Sequence, residues 1–87
     1  MLTESQLQLL DSLEEALIRA ANPEKALEMK AYMKGHFNFI GIPKPIRAVI
    51  QKQHFAALRK AGIAPEALLH FCWKKHEREW QYLGMDY

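Results

Sequence analysis

The sequence predicts an all-α protein, and three observations carry that expectation. Apolar residues recur at helical spacing through most of the chain. The breakers Asn22-Pro23, Gly35, Pro45, Gly62 and Pro65 divide it into segments of helix length. The aromatic-rich stretch at residues 32–47, "YMKGHFNFIGIPKPIR", alternates too poorly for a strand and holds too many breakers for one helix.

The first helix is expected to start at a capping box, because Thr3 through Gln6 has the T-x-x-Q form in which the glutamine reaches back to the cap amide. Leu7, Leu10, Leu13 and Leu17 give it a stripe, widened by Leu9, Ala16 and Ala20. Asn22-Pro23 starts a second helix: Asn caps free amides, and Pro fits a first turn, where no N–H is needed. Its apolar face is Ala26, Met29 and Met33, and Gly35 ends it in a left-handed conformation. Phe37, Phe39, Ile40 and Ile42 are expected to fold back onto the helices. A third helix opens at Pro45 with Lys44 as its cap, an inner stripe of Ile46, Val49, Ile50, Gln53 and Ala57, and a stop at Gly62. Pro65 opens a fourth element. Leu69, Cys72, Trp73, His76, Trp80, Leu83 and Tyr87 suit either one long helix or two with a break between Lys74 and His76. Trp73 and Trp80, seven apart on this stripe, are expected in the core.

At 87 residues the chain is one all-helical domain, 1–87, of a size that buries only about 60% of its unfolded surface. No apolar run approaches the roughly 18 residues of a spanning helix, and "MLTESQ" lacks the basic start of a signal peptide, so a soluble, cytoplasmic protein without membrane partners is expected. Cys72 is the only cysteine, which excludes an internal disulfide. The apolar stripe is still periodic at Tyr87, as in a longer array of paired helices cut within a helix. That reading expects an apolar patch involving some of Trp73, Trp80, Leu83 and Tyr87, to be covered by further repeats or by self-association.

The net charge of +2 conceals a strong asymmetry. Residues 1–24 hold one Arg against five acids, residues 25–60 hold eight Lys or Arg against Glu28 alone, and residues 61–87 hold three cations against four acids. The basic middle is either a solvated face or a surface for a polyanion. In favour of the polyanion, Lys30 and Lys34 lie one turn apart, and a helix beginning at Pro45 turns its positive end and first amides toward Lys44 and Arg47. Lys34, Lys44 and Arg47 are therefore the expected nucleic-acid-binding residues, exposed at a rigid corner, with Lys30 and Lys52 as further contacts. Phe37 and Phe39 are read as core rather than as base-stacking rings.

Catalytic motifs are missing. No G-x-S-x-G, H-E-x-x-H or phosphate-cradling glycine loop occurs, and Glu77 and Glu79 fall on different faces of a helix. Cys72 and His76 at i,i+4 form half a zinc site without a second pair, so Cys72 is read as a small core residue and no metal or cofactor is expected.

The segment "NPEKALEMKAYMKGHFNFIGIPKPIR" resembles the N-terminal region of the bacterial DNA alkylation repair proteins, the AlkD-type DNA glycosylases. The matching residues are Asn22, Pro23, Ala26, Tyr32, Met33, Lys34, Phe37, Phe39, Gly41, Ile42, Pro45 and Arg47. In "WKKHEREWQYLGMDY", Trp73, Arg78, Glu79, Trp80 and Gln81 match as well, whereas residues 1–19 match only as a generic helix. The resemblance implies a stack of HEAT-like helix pairs whose concave face holds alkylated double-stranded DNA. The implied activity is hydrolytic release of cationic N3- or N7-alkylpurines. A cationic base is already a good leaving group, so such an enzyme mainly stabilises the oxocarbenium-like sugar and places water. The family's catalytic Asp and tryptophans fall beyond Tyr87 in this resemblance, so none is assigned here. The sequence reading is thus an N-terminal scaffold and DNA-backbone-binding portion of such a glycosylase. The alternatives are a non-catalytic helical module binding protein or nucleic acid, and a Cys/His metal protein.

Overall fold

A computed structural model describes residues 2–87. It contains five helices: α1 (Glu4–Arg19), α2 (Pro23–Tyr32), α3 (Lys44–Lys60), α4 (Pro65–Trp73) and α5 (Arg78–Asp86). Among the described residues the only β-type pairing is an isolated bridge between Asn38 and Glu77. The all-α expectation holds, and the break after Trp73 separates α4 from α5. No helix is long and apolar enough to cross a membrane.

Helix α1 packs on α3, and α4 packs on α5, in an elongated body of 38 × 20 × 18 Å. The α1 stripe supplies Leu10, Leu13 and Leu17, all fully buried, while Leu7 stays 45% exposed. Thr3 and Gln6 form the complete capping box, and the Gln6 side chain also donates to the Ala61 carbonyl at 2.9 Å, tying the start of α1 to the end of α3. Ile50, Phe55 and Leu58 of α3 meet the α1 leucines in a single core that continues through Ile63, Leu68 and Cys72 to Trp80 and Leu83. Burial of each such side chain is worth about 1.5–3 kcal/mol, which makes the two helix pairs the stable part of the molecule.

Polar and aromatic contacts lock the far ends. Lys75 pairs with Glu14 and lies over the rings of Phe71 (4.8 Å) and Trp80 (5.3 Å), pinning the α4–α5 turn to α1. Tyr87 stacks edge-on against Phe55 at 5.0 Å and donates its hydroxyl to the Ile63 carbonyl, while Arg59 covers its ring and donates to its backbone carbonyl.

Two expectations about buried faces and one about a helix cap are corrected. Ile46, Val49, Gln53 and Ala57 are exposed, because the inner face of α3 runs instead through Arg47, Ile50, Gln51, Phe55 and Leu58. Arg47 and Gln51 enter that face because Asp86 on α5 receives hydrogen bonds from both, at 2.9 and 3.2 Å. Trp73 is 53% exposed, because α4 ends at that residue and α5 sets out afresh at Arg78, so the continuous stripe that placed Trp73 inside does not exist. The third concerns the cap of α3. Lys44 is already helical, and Pro43 (φ −60°, ψ 150°) occupies the cap position without a side-chain bond. Of the residues expected at an apolar patch near the C-terminus, Trp80 and Leu83 are buried and Tyr87 is half-buried, leaving Trp73 at the surface.

Candidate nucleic-acid interface

The sequence singled out the connection from α2 to α3, and its conformation is built from local rules. Helix α2 starts with Asn22 accepting from the Lys25 amide and Pro23 in the first turn. Ala26, Met29 and Met33 form its inner side, yet no residue of α2 is fully buried. Beyond it Lys34 (φ 56°) and Gly35 (φ 77°) both turn left-handed, and the Gly35 amide returns to the Lys30 carbonyl at 2.9 Å.

From there the chain is tied on two sides. The Asn38 carbonyl accepts from the Arg78 amide at 2.8 Å, and the Ile40 carbonyl accepts from the Asn22 amide at 3.1 Å. Gly41 (φ 94°) packs so close to the start of α2 that a β-carbon there would lie 1.9 Å from the Asn22 carbonyl oxygen. Only glycine fits this position, both for its conformation and for its space. Opposite it stands Glu79, 1% exposed, whose carboxylate accepts from the amides of Ile40 (2.9 Å), Gly41 (2.9 Å) and Ile42 (3.1 Å). Beside it Arg78 bonds Gln81 and lies over Phe37 (4.4 Å) and Tyr82 (5.2 Å), so Phe37 packs on a cation within the protein.

The cations named from the sequence divide into two kinds. Lys30, Lys34, Lys44 and Lys52 are exposed and form no ion pair among the described residues. Arg47 is the correction. It is 6% exposed, donates to Gln51 at 2.5 Å and Asp86 at 2.9 Å, and lies over the Tyr82 ring at 5.3 Å. The expectation placed it at the surface with Lys44; the two line the same cleft one turn apart, but the Arg47 guanidinium turns inward to Gln51 and Asp86. Burial pushes the Asp86 carboxyl up, but the hydrogen bonds from Arg47 and Gln51 and the charges of Arg47 and Lys44 outweigh it and hold the carboxyl below its ordinary value. A cleft of about 380 Å³ lies above this network, with Met29, Ile42, Lys44, Tyr82 and Met85 on its walls.

The α3 N-terminus also offers fewer donors than a free helix end. Pro43 and Pro45 have no N–H, and the amides of Ile46 and Arg47 both reach the Pro43 carbonyl, at 3.1 and 3.0 Å. The Lys44 amide and ammonium remain, at the positive end of a 17-residue helix with no acid in its first turn. Lys30 faces a different groove from Lys44, shared with Asn38, Phe39 and Glu77, so the structure does not gather the named lysines into one pocket. Tyr32, between Lys30 and Lys34, is 86% exposed, and the sequence reading named it only as a motif match.

Burial pushes the Cys72 thiol up to about 12, against the opposing pull of Lys75, so it stays protonated and unreactive near neutrality. No group of three His, Cys, Asp or Glu among the described residues is placed to hold an ion.

Stacked helix pairs and a lysine-bearing corner define an all-helical scaffold with a basic flank. Residues 13–87 match the family of DNA alkylation repair enzymes, and the chain belongs to that family. No curated protein gives a significant match to the chain.

Proposed function

We propose that this chain supplies scaffold and DNA-backbone contacts to a glycosylase that excises cationic N3- or N7-alkylpurines from double-stranded DNA. The observation that carries this reading is Lys44: exposed, without an ion-pair partner among the described residues, and set by two prolines at the positive end of α3. Lys30, Lys34 and Lys52 extend the same charge, and membership in a DNA alkylation repair family supports DNA as the polymer. Such contacts position a duplex without reading its sequence. The family resemblance places the catalytic Asp and tryptophans outside this segment, so hydrolysis of the glycosidic bond is not assigned to these residues.

The exposed Leu27, Tyr32 and Trp73 favour a second reading, a non-catalytic helical module that binds a partner through these apolar residues. One experiment separates the two. The chain and its Lys30/Lys34/Lys44/Lys52→Ala variant are titrated with duplex DNA across a salt series. The first reading expects weak, sequence-independent binding whose log–log salt slope flattens by about 0.9 for each phosphate contact removed. No binding by the parent at low salt would overturn it in favour of the module.

A further inference from the structure

Glu79 carries more than its local bonds. The amides of Ile40, Gly41 and Ile42 have no backbone acceptor among the described residues, and one buried carboxylate serves all three. Its two oxygens divide the work, Oε1 for Ile40 and Oε2 for Gly41 and Ile42. No Lys or Arg pairs with it among the described residues, and all three of its hydrogen bonds come from backbone amides. The corner is therefore held between two helices, Glu79 of α5 on one side and the Asn22 carbonyl of α2 against Gly41 on the other.

Past Ile42 the chain is stiff. Pro43 fixes one dihedral, Pro45 restricts Lys44 before it, and α3 begins at once. A shift at Ile42 cannot be absorbed before Lys44.

We propose that Glu79 is the positioning residue of this corner, fixing through the 40–42 amides the direction in which Lys44 and the α3 N-terminus meet a DNA backbone. This rests on the DNA-binding reading above. A carboxylate is required because glutamine offers one oxygen and one NH₂, which in either orientation faces at least one amide donor with another donor.

The test uses the 87-residue chain, its Glu79→Gln and Lys44→Ala variants and the double variant, with duplex DNA in a salt series and amide exchange followed by NMR. Circular dichroism first establishes that Glu79→Gln is folded. Its salt slope is then expected to flatten by about one unit, as Lys44→Ala does, with the double variant no flatter. The amides of residues 40–42 lose protection. A folded Glu79→Gln with the parental slope overturns the proposal, since a purely structural role lowers the melting temperature and leaves the slope alone. Where Glu79→Gln does not fold, exchange in the parent decides: protection at residues 40–42 equal to that within α3 supports the clamp, and rapid exchange overturns it. Where the parent binds no DNA, the DNA reading fails by itself. The clamp is then judged on exchange, lost protection in Glu79→Gln supporting it and unchanged protection overturning it.

Discussion

The α1–α3 and α4–α5 pairs bury leucine against leucine and aromatic against aromatic, whereas α2 buries no residue fully and its corner hangs on hydrogen bonds to Glu79. Removing one methyl group from the pairs leaves many other contacts; removing one carboxylate from the corner frees three amides at once. Non-directional burial tolerates small errors of shape, and a satisfied polar cluster does not. The contrast places the rigidity of the pairs in apolar area and that of the corner in geometry.

The largest expected effect breaks the corner directly. Gly41→Ala sets a β-carbon against the Asn22 carbonyl oxygen at 1.9 Å and forces a non-glycine residue to φ 94°. Urea denaturation is expected to show a loss of about 3 kcal/mol or more, the range of severe backbone clashes. A loss within about half a kcal/mol would show that the corner is not packed on α2.

Next comes the polar seam between α3 and α5. Asp86 is held below its ordinary carboxylate value, so it contributes stability above that range and loses it as pH falls through the folded value. The difference in melting temperature between the parent and Asp86→Asn is therefore expected to be constant near neutrality. It should shrink below the unperturbed value of 3.8. A difference that grows on acidification would reverse the sign of the coupling. The effect is small, because the Asp86 side chain is 49% exposed and water screens the pair.

The smallest effect lies at Trp73. Half exposed at the end of α4, it is expected to tolerate Trp73→Ser within about half a kcal/mol. A loss of the size that core tryptophans show, about 3 kcal/mol or more, would restore the single-helix reading of its stripe.

The sequence disclosed the pairs better than the corner. Leu10, Leu13 and Leu17 were legible because helical spacing puts them on one face, and the capping box was legible because its partners lie within one turn. Gly35 was readable as a left-handed stop for the same local reason. Glu79 was not readable as a clamp: its partners are 37 to 39 residues away, and no local pattern marks a carboxylate as buried. Arg47 misled because charge suggested exposure, and its partners Asp86 and Tyr82 become neighbours only when α5 folds back on α3. A buried Arg among apolar positions shifts the inner face of a helix, which is why Ile46 and Val49 also fell on the wrong side. Of the five named cations, the four lysines keep the exposure expected of them.

The central claim is that exposed Lys44, and not buried Arg47, meets the DNA backbone. The most direct measurement is the salt dependence of duplex binding by Lys44→Ala and Arg47→Ala, each beside its own thermal melt. Lys44→Ala is expected to flatten the slope by about one unit with an unchanged melt. Arg47→Ala is expected to keep the parental slope and to lose about 1–3 kcal/mol of stability, because it leaves the Gln51 side-chain oxygen without its donor and Asp86 with Gln51 alone. The reverse pattern, a flattened slope for folded Arg47→Ala and none for Lys44→Ala, would contradict the account.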